Sequence, residues 1–375
     1  MRKHIIYRYF LFLSLVGLMQ LTLSCSSSSN EIEPLKPEGE DTPLEKDEYT
    51  FMNVEYRKWQ NGTFQAWTTA DSRETRTIDN MNWYTPSSDY SRTAWGGRNG
   101  LQPSSVTGKK GFFRVAHCGG RAYLLDPDNG AVILHGVQHV RPGESTAHQK
   151  AFSTKYGSEA RWSEETGKLL ADNHINYISY GSNRIEVFPA AVRGNLLTPK
   201  TQKIAYAENL YLLRTFMWDM SKNLGYAFDD DKYNRLVLLF EPTFATYIDR
   251  LVQEKSALFA GDRHFIGFYL DNELPFASYQ GTGYANTEGG GWLVHTQKNR
   301  GEFYQNFCLR LLETRNCVGW VHFEYNDGYD SNGKASNKGV VSIEYEPYES
   351  FLSQMRQLNL SVHSLIDYYD IKSVQ

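Results

Sequence analysis

From Ala131 onward the chain alternates between short apolar runs and longer amphipathic ones, and this alternation constrains the fold more than any other feature. Ala131 to Val137 reads as a buried strand ending in Gln138-His139. Ser158 to Ala171 suits a helix with Trp162, Leu169 and Leu170 on its inner face. Ile175 to Tyr180 reads as a strand, Ala205 to Leu224 as a helix, Leu236 to Phe240 as a strand and Phe244 to Phe259 as an amphipathic helix. A strand from Phe265 to Leu270, a helix from Gly301 to Thr314, a strand from Val318 to Phe323 and a closing helix from Ser350 to Asp367 complete the series. Strict alternation predicts a parallel sheet covered by helices. A full (β/α)8 barrel takes eight such units and about 250 residues. Only five strands in barrel register are legible, and residues 114–375 barely reach that length. Either the barrel is incomplete or strands lie hidden elsewhere. The expected fold class is therefore α/β, an incomplete (β/α)8 TIM-barrel type, over residues 111–375.

Upstream the pattern is irregular. Residues 49–110 scatter Trp59, Trp67, Trp83 and Trp95 among Gly, Ser and Thr, which predicts a small β-rich extension. Gly111 to Val115 and Arg121 to Pro127 then form a hairpin around Gly119-Gly120, and Asp128-Asn129-Gly130 is a turn. The first 25 residues have the form of an export signal: Arg2 and Lys3, an apolar core from Phe10 to Leu23, then Ser24-Cys25. Leu21-Thr22-Leu23-Ser24-Cys25 resembles a bacterial lipobox, in which Cys25 is acylated. Residues 26–48, rich in Ser, Pro, Glu and Asp, read as a disordered tether from that lipid anchor. The expected location is the periplasmic face or the cell surface, membrane-anchored. Cys118, Cys308 and Cys317 remain, an odd number that cannot form a complete disulfide framework, and they read as buried apolar residues. A net charge of −4 gives no basic field for nucleic acid. No paired metal-ligand spacing and no Gly-rich dinucleotide turn is present, so neither a metal nor another cofactor is expected.

The chemistry is concentrated in Phe265 to Pro275, where an apolar run ends abruptly in Asp271-Asn272-Glu273. In a parallel α/β barrel, catalytic side chains collect at the carboxyl ends of strands. An Asn followed by Glu there suits glycoside hydrolysis, the Asn holding a sugar hydroxyl and the Glu supplying the proton. Taken alone, the pair is better explained by a strand-end carboxylate that caps a loop or pairs with Arg. Aromatics at 14% of the chain, many beside polar residues at strand ends, permit sugar stacking without requiring it.

Several stretches occur in the order of a known family: 111–115, Leu134 to His139, Phe240 to Phe244, Phe265 to Phe276, Gly290 to Asn306, Val318 to Asp327 and Ser336 to Val341. Together they resemble the β-agarase-like glycoside hydrolases, family 50 and its relatives, which are retaining enzymes on (β/α)8 barrels. The resemblance implies action on a β-linked galactan such as agarose or porphyran. It implies Glu273 as general acid/base and Asn272 as its sugar-binding neighbour. It also implies substrate contacts from His139 and, on the last strand, from Trp320, His322, Tyr325 and Asp327; Tyr180 and Arg184 follow the second strand, and Trp292 and Gln297 precede a late helix. The family's nucleophile is a Glu on a strand that here falls in a gap, since Pro275-Phe276 runs almost directly into the Gly-rich stretch from Tyr284 to Trp292. The fifth to seventh barrel strands look absent. Glu288 sits in that Gly-rich loop and Glu302 opens a helix, which leaves Glu324 as the fallback nucleophile. Two outcomes stay open: a retaining hydrolase, or a non-catalytic glycan-binding derivative.

Overall fold

In the computed structural model the described residues are 49–60, 63–87, 90–182, 203–224, 240–271, 292–329 and 335–372. Their strands, in chain order, are β1 (Met52–Arg57), β2 (Trp59–Gln60), β3 (Thr63–Phe64), β4 (Asp71–Thr75), β5 (Ser105–Thr107), β6 (Arg114–Cys118), β7 (Arg121–Leu125), β8 (Ala131–Val132), β9 (Leu134–Val137), β10 (Tyr177–Ile178), β11 (Ala205–Asn209), β12 (Phe265–Tyr269), β13 (Leu293–Val294), β14 (Gly319–His322), β15 (Gly328–Tyr329) and β16 (Ala335–Ser336). The helices are α1 (Thr146–Lys155), α2 (Glu159–Asp172), α3 (Leu212–Leu224), α4 (Phe244–Leu258), α5 (Gln297–Glu313) and α6 (Glu349–Lys372).

Five strands form the central sheet in the order β12-β11-β10-β9-β14, and every pair in it is parallel. The last of these strands in sequence, β14, lies beside the first, β9, as the ends of a barrel sequence do. Among the described residues the sheet runs from β12 to β14 without closing, so the architecture is mixed α/β and an eight-stranded barrel is not seen. Period-two alternation sorts its side chains between two cores. Leu134, Tyr177, Ala205 and Ala207 meet on one face with Ile266 and Val321 packed against them. Val137, Ile178 and Tyr206 face the helical layer with Trp162, Leu170, Phe351 and Met355. Gly136 is required where β9 passes β10, because a Cβ there would stand 2.4 Å from the Tyr177 ring.

One expectation is corrected. Ala205–Asn209 is a strand, paired with β10 and β12, and the helix begins only at Leu212. Two alanines made the run look helical, yet Ala205 and Ala207 point to one core and Tyr206 to the other. The strand expected at 236–240 lies outside the described residues except for Phe240, which is 84% exposed at a 3-10 turn. The expected strand from Ala131 to Val137 is divided at Ile133: β8 completes an antiparallel sheet ordered β5-β6-β7-β8, while β9 enters the parallel one.

The helices start where side chains cap them. Ser145, Ser158 and Thr296 accept from the backbone N–H of His148, Arg161 and Asn299 at 3.3, 3.3 and 3.1 Å. The N-terminal extension is an antiparallel sheet, β13-β1-β4, which ties the start of the described chain to the segment entering α5. Cys118 and Cys308 are buried and Cys317 half-buried, all as free thiols. No described helix is long and apolar enough to cross a membrane. The export signal, Cys25 and residues 26–48 lie outside the described residues.

Candidate active site

The carboxyl ends of the parallel strands gather the chain's candidate chemistry on one rim. At the end of β9, His139 adopts a left-handed backbone, φ 55°. Its Nδ1 lies 3.0 Å from Glu324 Oε2, just beyond β14, where the ring N–H donates to the carboxylate. Both side chains are partly exposed, 26% and 18%. The Phe323 ring sits edge-on to His139 at 5.1 Å. Gly181, after β10, lies so near that a Cβ would stand 2.7 Å from the His139 ring. His139 and Glu324 are thus brought together, and each restrains the other.

The other half of the rim is built from tyrosines. Tyr180 packs against Tyr211 at 6.2 Å and against Tyr269 at 4.8 Å. The hydroxyls of Tyr177 and Tyr269 share a hydrogen bond of 3.2 Å. Burial, with that bond next, pushes the Tyr177 hydroxyl above the ordinary tyrosine range, and burial does the same for Tyr211. They remain neutral donors and acceptors near neutral pH. Asn209, ending β11, accepts from Tyr211 N at 2.8 Å, while its Nδ2 has no partner among the described residues. Asp271 Oδ2 accepts from Leu213 N at the start of α3, at 2.9 Å, which also satisfies an otherwise orphaned helix donor. Tyr177, Asn209 and Tyr211 were not singled out from the sequence, and Asp271 was noted there only as part of the strand-end Asp-Asn-Glu. Only Asp271 carried a sequence signal, at the end of the apolar run 265–270; Asn209 and Tyr211 follow a strand that the sequence disguised as helix, and Tyr177 opens β10.

The proposed acid and its neighbour, Glu273 and Asn272, lie outside the described residues, as does Arg184. The chain is described as far as Asp271, immediately before them.

The remaining candidates on the last strand point elsewhere. Trp320 and His322 do share a face, but it is the one covered by helices. Trp320 Nε1 donates to Tyr304 Oη of α5 at 2.7 Å, and His322 packs on Phe351 of α6 at 5.0 Å. His322 Nε2 donates to the Lys338 carbonyl at 2.9 Å, and burial, then Arg300, pushes its pKa down to about 4. Tyr325 is fully buried, its hydroxyl bonded to Thr166 at 2.9 Å. Asp327 organises the loop after β14. It accepts from Gly339 N at 2.7 Å, Asn337 Nδ2 at 3.0 Å and Tyr348 Oη at 2.5 Å. Trp292 stacks on Tyr56 at 4.1 Å, and Gln297 bonds Asn337 at 2.6 Å. Among the described residues no group of three His, Cys, Asp or Glu side chains gathers to hold a metal ion.

β12 and β14 are four strand intervals apart in the sheet order, about 19 Å along the sheet at roughly 4.8 Å each. Curvature shortens that path: both strands line one concave cavity of about 280 Å³ with Leu134, Tyr177 and Ala207. Retention asks for carboxyl groups about 5–5.5 Å apart, and the Glu324 oxygen is already engaged by His139.

No protein-family model matches the chain. No curated protein matches it either. Among solved structures, the crystal structure of BpGH50 aligns over 86% of this chain and 96% of its own at 17% identity, with a TM-score of 0.69. The chain shares that fold. The agarase AgWH50C aligns over 73% of this chain and 66% of its own at 13% identity and a TM-score of 0.47. A solved exo-beta-agarase aligns over 73% and 68% at 11% identity and a TM-score of 0.44.

Proposed function

We propose, from the fold shared with BpGH50, that this chain is an agarase-like glycoside hydrolase acting on a β-linked galactan such as agarose, with Glu273 as general acid/base. The observation that carries this reading is the exit of β12. The strand ends at Tyr269, Asp271 is fixed to the first turn of α3, and Asn272-Glu273 follow directly. The described residues just before that pair, Tyr269 and Asp271, belong to the rim where tyrosine faces and hydroxyls collect. Such rings suit the apolar faces of galactose units. The acid must hold its proton near neutral pH, which an aromatic wall favours by disfavouring the charged form. The ordered family-like stretches from Gly111 to Val341 support the same substrate class. We further propose that Cys25 is acylated and that residues 26–48 tether the domain to a membrane, facing the periplasm or the exterior.

The strand spacing favours a second reading, in which the rim binds galactan without turning it over. Glu324 is the described rim's partner carboxylate, and β14 stands four intervals from β12. Reducing-end release from agarose and porphyran by the purified chain separates the two. The hydrolase reading expects release that Glu273→Gln lowers by about 10²–10⁴-fold. Release undiminished in that variant removes Glu273 from its role. No release alongside measurable oligosaccharide binding establishes the second reading.

A further inference from the structure

At the pole where the described chain begins, one turn presents a tryptophan outward. Trp83 is 88% exposed and holds a left-handed backbone, φ 64°. Such a conformation is uncommon for a bulky residue and persists only where its surroundings enforce it. Here they do. Met81 pairs with Tyr49 in an antiparallel bridge, and Thr50 N donates to the Asn80 carbonyl at 2.9 Å. The Tyr84 and Ser364 hydroxyls share a hydrogen bond of 2.5 Å, Tyr84 packs edge-on to Tyr368 at 5.6 Å, and Tyr368 Oη donates to the Asn82 carbonyl at 3.3 Å. Ser364, Tyr368 and Ile371 share one face of α6 by their spacing, and Ile371 is 63% exposed. Phe51, 37% exposed, has its ring 5.8 Å from that of Tyr49. Exposed apolar side chains thus surround the root of the N-terminal segment, since Tyr49 is itself locked to Tyr369 of α6 by a shared hydroxyl bond of 2.5 Å.

We propose that this face, centred on Trp83 and Ile371, rests on the lipid surface to which acylated Cys25 anchors the chain. The inference depends on the lipid-anchor reading above. What selects a bilayer as the occupant is the segment outside the described residues and the place where it ends. About 24 residues separate Cys25 from Tyr49, and a tether of that length spans about 27 Å root-mean-square. The face at its root is therefore held within roughly a domain's width of the lipid, at an effective concentration of order millimolar, where weak apolar contact suffices. Tryptophan is the side chain best suited to the headgroup boundary, with an apolar ring and one polar N–H. An aliphatic neighbour such as Ile371 suits lipid rather than a sugar. This contact would orient the domain as well as tether it.

The test uses the full acylated chain on phosphatidylethanolamine/phosphatidylglycerol vesicles whose acyl chains carry bromine near the headgroup. Flotation of the vesicles reports the anchor separately from the contact. The expected result is quenching of on the order of one tryptophan among the chain's 8, abolished by Trp83→Phe. Ile371→Ser, which removes no tryptophan, should at least halve it. Quenching that survives Trp83→Phe, or none while the chain floats with the vesicles, overturns the contact and leaves the anchor standing. A chain that does not float overturns both. Protection of Trp83 from N-bromosuccinimide by agarose oligosaccharide, with no lipid quenching, makes the face a sugar platform and also overturns the proposal.

Discussion

The two flanks of the parallel sheet are built to different standards. On the β9–β14 flank, α6 contributes Phe351, Leu352, Met355, Leu358, Val362 and Leu365, each at most 1% exposed. That helix is held from its far side as well, by Arg121 to Asp370 at 2.6 Å and Arg98 to Asp367 at 2.7 Å. On the β11–β12 flank, α4 buries Ile248 and Leu251, while Trp218, Leu258 and Leu270 stay 52%, 51% and 60% exposed. The helix over one flank is held on both of its own sides, and the helix over the other leaves large apolar side chains exposed. The proposed acid follows β12, on the thinly covered flank. The described rim spans both flanks: His139 and Glu324 stand on the thick one, Tyr269, Asn209 and Asp271 on the thin one.

Acid should break that division most severely. Burial pushes the pKa of His322 and His363 down to about 4 and that of His135 to about 3. All three lie on the thick flank. An unfolded histidine titrates near 6.5, so each is neutral when folded and takes up a proton more readily when unfolded. Their contribution is complete above about pH 6.5 and is lost as pH falls toward 4. We expect a loss on the order of 3 kcal/mol or more over that interval in urea titrations. The amides of α6 should lose hydrogen-exchange protection in the same window. A flat profile would show that the thick flank does not set the global stability.

Asp327→Ala comes next in size. It removes one acceptor shared by Gly339 N, Asn337 and Tyr348 and leaves a buried N–H without a partner. Losing this network should cost about 2–3 kcal/mol, seen as a lower urea midpoint. A variant of native stability with weakened oligosaccharide binding would instead return Asp327 to the substrate-contacting role that the resemblance implied.

How much was legible divides along the same line. The hairpin around Gly119-Gly120, the strands at 265–269 and 319–322 and the helices after them were readable, because apolar period and turn residues agree there. β11 was not, since Ala205 and Ala207 carry helical propensity and only pairing with β10 and β12 makes the run extended. α1 was missed as well. Thr-Ala-His-Gln-Lys-Ala-Phe-Ser-Thr-Lys has little apolar period, and its cap at Ser145 is the clearest mark. For the site, Trp320 and His322 are two apart on β14 and so share a face. Period two cannot say whether a shared face meets a cleft or a helix, and here it meets α5 and α6. The His139–Glu324 contact joins residues 185 apart in sequence and depends on β14 returning beside β9, which no local pattern encodes.

The smallest expected effect is the sharpest test of the thin flank. Tyr269 is 38% exposed, and its hydroxyl bonds that of Tyr177, which is 4% exposed. In Tyr269→Phe the ring packing against Tyr180 remains and one hydroxyl leaves the rim. The lost bond is a neutral one of 3.2 Å, and Tyr177 keeps its buried ring packing, so stability should change by only about 1–2 kcal/mol. If the rim binds sugar, the lost hydroxyl should instead weaken oligosaccharide affinity by about 3–10-fold in calorimetry, the equivalent of one neutral hydrogen bond. A large loss of stability with unchanged affinity would make the tyrosine cluster part of the packing, and the two flanks would then differ in thickness but not in role.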